Sequence, residues 1–338
     1  MKVSFLVTYY NQAQYVKESL ESILSVKKDY EWEILAGDDG SSDETVSVIN
    51  EYIKRFPENI KLYTMHRDPN EKYKSVQRAS YNRLNLIEHC NGDYFCIIDG
   101  DDFYCSNDFI QNAVKTFESN PDVSVVAYNF QKLYSNGNTE KSKTFDIPSD
   151  SIVIPADYLR KCYIHAGACV FKNTFNTDKS SIEKLKKLGS FDDSDILVNA
   201  FNYGKMYFSD KIIYSYRQTN EGLWTDIKEM EQNVLNLISF DIEKAISPKL
   251  EKDLFFRSFV AIYKVWHSRK SLKKIIIESK IEEYEKMIEG INKYETLSYN
   301  ILHYEKASHY MKVLINKRIF LFVLRHPKFF ILNLRNVL

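Results

Sequence analysis

Three carboxylates crowd into four positions at Asp99-Gly100-Asp101-Asp102. They follow a short apolar run, Tyr94 to Ile98, that reads as a buried strand. Packed carboxylates repel one another unless something cationic lies between them. A divalent ion that prefers hard oxygen ligands, Mg²⁺ or Mn²⁺, meets that need, and such ions usually bring a phosphate with them. The same residues could instead form an acidic turn that ends a strand and caps a helix. A second cluster, Asp192-Asp193-Ser194-Asp195, leads into a helical stretch carrying Ile196, Leu197, Ala200 and Phe201. It offers further carboxylates, distinct from the first group. Acidic residues also favour a helix N-terminus on electrostatic grounds alone. A third group, Asp38-Asp39-Gly40, is either ligand-facing or a turn and helix cap.

The elements that must position these groups alternate along the first 130 residues. Val3–Val7 is a continuous apolar strand, followed by a helix with Val16, Leu20, Ile23 and Leu24 on one face. Glu33–Ala36 is a second strand. Ser41 and Glu44 have the spacing of a capping box for a helix with the stripe Val48, Ile49, Tyr52, Ile53 and Phe56, stopped by Pro57. A strand at Ile60–Thr64, a helix near Ser75–Cys90, the strand Tyr94–Ile98, a helix with Ile110, Ala113, Val114 and Phe117, and the strand Val123–Tyr128 complete the series. This predicts an α/β fold: a mostly parallel sheet flanked by helices. Ligands of such sheets collect beyond the carboxyl ends of the strands. Thr8, Tyr10 and Asn11, Asp38 and Asp39, and Asp99, Asp101 and Asp102 all follow strands, so the rule gathers them on one rim. No GxGxxG or GxxxxGK[ST] cradle is present in these turns. Charge neutralisation by a metal is the simplest remaining way to hold a diphosphate there.

Further along, Ala168–Phe171, Tyr207–Phe208 and Ile212–Tyr216 read as strands. Beyond Thr225 the chain turns almost wholly helical, with a Lys/Glu run at Lys273–Glu289 read as a solvated face. Lys+Arg and Asp+Glu are equal at 46 each, so no global field argues for a nucleic-acid partner. The five cysteines form no CxxC pair, which suggests reduced thiols in a cytosolic compartment. No signal peptide precedes the first strand, and no apolar run is long enough to span a bilayer.

Taken in order, these segments resemble family 2 glycosyltransferases with the GT-A fold, the fold of nucleotide-diphospho-sugar transferases. Val3-Ser4-Phe5-Leu6-Val7-Thr8-Tyr9-Tyr10-Asn11 is similar to that family's opening strand and turn. Asp38-Asp39-Gly40-Ser41-Ser42-Asp43 resembles its DDGSxD segment, and Gly92-Asp93-Tyr94 with Asp99-Gly100-Asp101-Asp102 its DxD region. Asp192-Asp193 resembles the ED helix start, with Asp192 in place of the usual Glu, and Tyr216-Arg217 the YR that follows. The resemblance covers residues 1–224. It implies a catalytic domain over 1–224, with 1–130 as the nucleotide-sugar half and 131–224 as the acceptor half. A helical C-terminal extension would occupy 225–338.

The resemblance implies an inverting transfer of a sugar from a nucleoside-diphosphate sugar, UDP-linked, to a hydroxyl of a glycan or lipid-linked acceptor. Tyr10 would stack on the base beside Thr8, and Asp38 would accept a hydrogen bond from the base ring. Asn82 would touch the nucleoside, Asp99 would hold ribose, and Asp101 would ligate Mn²⁺ or Mg²⁺. Asp193 would be the base, ahead of Asp192 and Asp195. On the acceptor side stand His165, which could equally be a structural histidine, and Trp224, which could stack on a sugar or belong to the core. The loop after Arg217 lacks the His that many relatives carry there. Other readings are a sugar nucleotidyltransferase, or a nucleotide-sugar-binding protein without catalysis.

The C-terminal tail has no acidic residue after Glu305, while Lys306, Lys312, Lys317, Arg318, Arg325, Lys328 and Arg335 lie among apolar residues. That composition suits a helix lying in an anionic membrane interface. The competing reading is a basic helix pair docked on the catalytic domain or on a second subunit. With a lipid-linked acceptor, the membrane reading places the protein peripherally at the cytoplasmic membrane's inner face, in bacterial surface-glycan synthesis.

Overall fold

The computed structural model describes residues 1–68, 75–143, 147–219, 228–268 and 286–334. The chain divides into two compact units, Met1–Gly222 and Leu223–Leu338. The first is built on one sheet. Four parallel strands, β1 (Lys2–Tyr9), β2 (Glu31–Asp38), β3 (Ile60–Thr64) and β4 (Tyr94–Asp99), lie in the order β3-β2-β1-β4. Beyond β4 the sheet turns mixed. β9 (Cys169–Lys172) runs antiparallel to both β4 and β6 (Val123–Tyr134), and β10 (Lys205–Gln218) pairs parallel with β6. Short strands β5 (Phe103–Tyr104), β7 (Thr139–Lys141) and β8 (Ser151–Val153) add antiparallel pairs at the periphery.

Every residue from Val3 to Tyr9 is buried, as a central strand covered on both faces must be. Val3, Phe5, Val7 and Tyr9 point into the core that receives Val16, Leu20 and Ile23 of α1 (Ala13–Ser25) and Ile49 and Tyr52 of α2 (Thr45–Arg55). The remaining helices of this unit are α3 (Ser75–His89), α4 (Phe109–Ser119), α5 (Pro155–Lys161), α6 (Lys179–Leu188) and α7 (Asp193–Ala200). Near the start of β1, Glu33 of β2 is buried and accepts bonds from Ser4 Oγ and Lys2 Nζ, each at 2.6 Å, and from the Asn91 N–H at 3.1 Å. One carboxylate thereby ties two strands to the turn before β4. The capping box expected at Ser41 and Glu44 does not form. Ser41 Oγ instead accepts the Asn11 N–H at 2.8 Å, and Asp43 accepts those of Ala13 and Thr45, each at 3.0 Å. A loop-to-loop bond has taken the Ser41 side chain that local spacing assigned to the helix. The expected strands at Tyr207–Phe208 and Ile212–Tyr216 are one strand, β10, with register shifts between them.

Register sets the rim. Thr8 of β1 pairs with Gly37 of β2 on one side and Asp99 of β4 on the other, and Asp38 pairs with Thr64 of β3. The carboxyl ends of all four parallel strands therefore finish level.

The second unit is helical throughout its described residues: α8 (Glu229–Ile246), α9 (Glu251–Ser268), α10 (Leu297–Leu302), α11 (His309–Arg325) and α12 (Pro327–Leu334), with short 3-10 turns between. Phe240, Phe255, Phe259 and Phe322 form its aromatic centre, with Phe259 stacked on Phe322 at 3.8 Å. Asp241, buried on α8, accepts the N–H groups of Leu297 at 2.9 Å and Ser298 at 2.7 Å, so it caps α10 from another helix. Most of the Lys273–Glu289 run lies outside the described residues. No described helix is long and apolar enough to cross a membrane, and all five cysteines are free.

Candidate active site

The acidic turn closes at the end of β4, where the Asp102 N–H bonds back to the Asp99 carbonyl at 2.9 Å. Gly100 is required by close approach: a Cβ there would stand 2.1 Å from the Tyr9 ring. The three carboxylates have different surroundings. Asp99 accepts from Arg83 Nη2 at 2.8 Å and from Thr8 Oγ1 at 3.2 Å. Burial alone would push its carboxyl up, but the Arg83 guanidinium overrides this and holds it below the ordinary range. Asp102 is fully buried, accepting Tyr214 Oη–H at 2.6 Å and the Arg217 N–H at 2.7 Å. Burial and the charges of Asp101 and Asp99 raise its carboxyl well above the usual range. Asp101 has no ion-pair partner among the described residues, and burial with the Asp99 charge pushes it up to about 6.

Arg217 locks this turn. Its Nε donates to the Asp101 carbonyl at 2.8 Å, its Nη2 pairs with Glu18, and its guanidinium lies 4.7 Å from the Tyr15 ring.

Asp99, Asp102 and His165 each bring one ligand atom within 4.8 Å of the others. Two of the three are already committed. Asp102 is bonded through both oxygens, and His165 Nε2 faces Asp193. Asp101, the residue expected to ligate a metal, stands outside that trio. The Asp101 carboxylate, without an ion-pair partner among the described residues, and the second oxygen of Asp99, whose Oδ1 meets Arg83 and Thr8, are the hard oxygen donors the turn has to spare, and their crowding creates the demand for a cation. The donor set fits Mg²⁺ or Mn²⁺.

The second acidic cluster resolves into three different roles. Asp192 is the N-cap of α7, its Oδ1 accepting the N–H groups of Ser194 and Asp195, both at 3.0 Å. Asp195 completes the capping box, accepting the Asp192 N–H at 3.2 Å and Ser190 Oγ–H at 2.6 Å. Asp193, between them, is left facing the site. One oxygen lies 3.4 Å from Arg83 Nη2 and the other 3.5 Å from His165 Nε2. The His165 ring is set by its neighbours: Nδ1 accepts the Gly167 N–H at 3.1 Å, which leaves the Nε2 proton for Asp193. Tyr214 and Tyr216 pack on the imidazole at 5.1 and 4.7 Å. Of the expected acceptor-side residues, His165 thus stands beside Asp193, whereas Trp224 lies outside the described residues.

On the nucleotide side, Asp38 is fully buried, and its carboxylate accepts the N–H groups of Gly40 at 3.0 Å and Ser41 at 3.1 Å. Asn82 braces the end of β2 from α3. It is 1% exposed, its Nδ2 donates to the Gly37 carbonyl at 3.0 Å, and a Cβ on Gly37 would stand 2.2 Å from its Oδ1. Tyr10 is exposed on the rim, with the Arg67 guanidinium 3.9 Å from its ring centroid. Arg67 pairs with Asp39, and Arg78 Nε donates to Asp39 at 2.6 Å. Tyr10 is thus linked to Arg67 and, through it, to Asp39. Position after β3 was the available signal for Arg67, by the same rule that gathered the acidic groups. No sequence signal marked Arg83.

Residues 4–176, just over half of the chain, match the family model for Glycosyl transferase family 2. The chain belongs to that family. EpsE of Bacillus subtilis is 33% identical over 102 residues, 30% of this chain and 33% of EpsE. The poly(ribitol-phosphate) beta-glucosyltransferase of Bacillus spizizenii is 27% identical over 128 residues, 37% of this chain and 19% of that enzyme. The chain spans between 13% and 54% of the length of the curated relatives it matches, 37% for mycobacterial proteins of 24% identity. The structure of S. aureus TarS residues 1–349 in complex with UDP-GlcNAc superposes with a TM-score of 0.56. It covers 87% of this chain and 82% of that one at 17% identity. This family 2 chain therefore has the GT-A glycosyltransferase fold.

Proposed function

We propose that this chain transfers a sugar, with inversion, from a UDP-sugar to a hydroxyl of a surface-glycan acceptor in a bacterium. The observation that carries the reading is that Asp193, alone of its cluster, is left out of the helix cap. The capping box uses Asp192 and Asp195, and the remaining carboxylate meets the donor-side Asp99 across a shared arginine. Asp193 accepts the proton of the acceptor hydroxyl as its oxygen bonds to the anomeric carbon. The bond from that carbon to the diphosphate breaks, and its electron pair leaves with the nucleotide. His165, fixed by Gly167 and the two tyrosines, orients the Asp193 carboxylate. Asp102, held by Tyr214 and Arg217, fixes the turn so that Asp99 and Asp101 present their oxygens. A divalent ion held by Asp101 and Asp99 would neutralise the charge that develops on the departing diphosphate. Tyr10 supplies an aromatic face for the base, with the Arg67 guanidinium against its ring. UDP-GlcNAc bound to TarS, which shares the fold, favours uridine.

A lipid-linked acceptor at the inner face of the cytoplasmic membrane is consistent with α11. Ile315, Ile319 and Phe322 face inward, while Tyr310, Val313, Phe320 and Leu324 share the outward face. Lys317, Arg325 and Lys328 are exposed along the same segment, which carries no acidic side chain. Cationic groups bordering exposed apolar ones complement an anionic lipid surface.

The test is a panel of nucleotide sugars scored by nucleotide release, with lipid-linked acceptors in phosphatidylglycerol vesicles. A UDP-sugar should support acceptor-dependent release, and the protein should co-sediment with the vesicles less at high salt. Release only from GDP- or dTDP-sugars would overturn the uridine assignment, and no release from any donor would overturn sugar transfer. Salt-insensitive association, or none, would overturn the membrane contact.

A further inference from the structure

We propose that Arg83 is a positioning residue that sets the base against the donor through one buried guanidinium shared by Asp99 and Asp193. The inference rests on the proposed sugar transfer and adds a residue that no motif marks. Arg83 projects from α3 with its side chain 10% exposed. The same nitrogen, Nη2, lies 2.8 Å from Asp99 Oδ1 and 3.4 Å from Asp193 Oδ1. Its Nε–H is buried with no acceptor among the described residues, a cost the fold carries to keep the guanidinium in place.

The arrangement has a geometric consequence. Asp99 ends β4 and Asp193 begins α7, so two elements distant in sequence are registered on one nitrogen. Without a cation between them the two carboxylates would repel and turn apart. Lysine cannot replace this geometry, because its ammonium is a mobile point charge, whereas the planar guanidinium fixes direction as well as charge. Arg83 therefore acts on the reaction through the direction in which Asp193 points, and it takes no proton itself.

The experiment compares Arg83→Lys, Asp193→Asn and the double variant in the full chain, with the donor and acceptor found active. Arg83→Lys should lower kcat by about 10-fold or more with the donor KM changed less than about threefold, the pattern of a lost transition-state interaction. UDP affinity by calorimetry should be unchanged. In the Asp193→Asn background the Lys substitution should cost little further, because residues acting as a unit are non-additive. Arg83→Gln, which keeps a planar donor head without the charge, should also lose kcat, and it serves if the Lys variant does not fold. Unchanged kcat in the folded variants would overturn the proposal. So would full additivity with Asp193→Asn, or a loss confined to donor KM. If Asp193→Asn itself turns over normally, the base assignment is what fails, and the two failures are thereby separable.

Discussion

Asp193→Asn should lower kcat by about 10³-fold, within the range that general-base catalysis contributes, while UDP binds with nearly unchanged affinity. The amide keeps the size of the carboxylate but cannot take the acceptor's proton. It should also fold normally, since the cap of α7 is made by Asp192 and Asp195. The matching variants at those two positions carry a different signature. Asp192→Ala removes the N-cap acceptor and should cost about 1 kcal/mol of stability, the usual worth of such a cap. Single-turnover kinetics with calorimetric UDP titration and thermal melts distinguishes the two patterns. A fall in turnover for Asp192→Ala matching that for Asp193→Asn, with melting unchanged, would place the base at Asp192.

Chelation is the second large effect. EDTA should reduce turnover by about 10²-fold or more, the scale of several kcal/mol from charge stabilisation by a metal, and Mn²⁺ or Mg²⁺ should restore it. Asp101→Asn should weaken the metal's apparent affinity and require more ion for half-maximal rate. Asp101 is the diagnostic position because its carboxylate has no ion-pair partner among the described residues, whereas Asp99 already has Arg83. A titration of activity against Mn²⁺ for the parent and Asp101→Asn chains checks this. Equal half-saturation for both would remove Asp101 from the metal site, and full turnover in EDTA would remove the metal.

Much of this site is legible in the sequence because the chemistry sits at strand ends. An apolar run followed by Asp99-Gly100-Asp101-Asp102 announces both the strand and its functional turn, and register brings Thr8, Asp38 and Asp99 to one rim. What sequence could not resolve is which member of an acidic group faces inward. Asp38 and Asp39 are adjacent and chemically alike, yet one is spent on the N–H groups of Gly40 and Ser41 and the other on two guanidinium groups. The family resemblance places Asn82 at the nucleoside, but its bond to Gly37, 45 residues away in sequence, is visible only in the fold. Arg83 was invisible for the same reason. Its meaning comes from two partners on separate elements, and nothing in its local sequence differs from an ordinary surface arginine of a helix.

The proton acceptor and the leaving diphosphate must lie on opposite sides of the anomeric carbon if Asp193 serves as the direct base. The configuration of the product tests that most directly, by proton NMR of the glycoside formed from an α-linked UDP-sugar. A β-linked product is the predicted result. An α-linked product would contradict a single displacement assisted by Asp193.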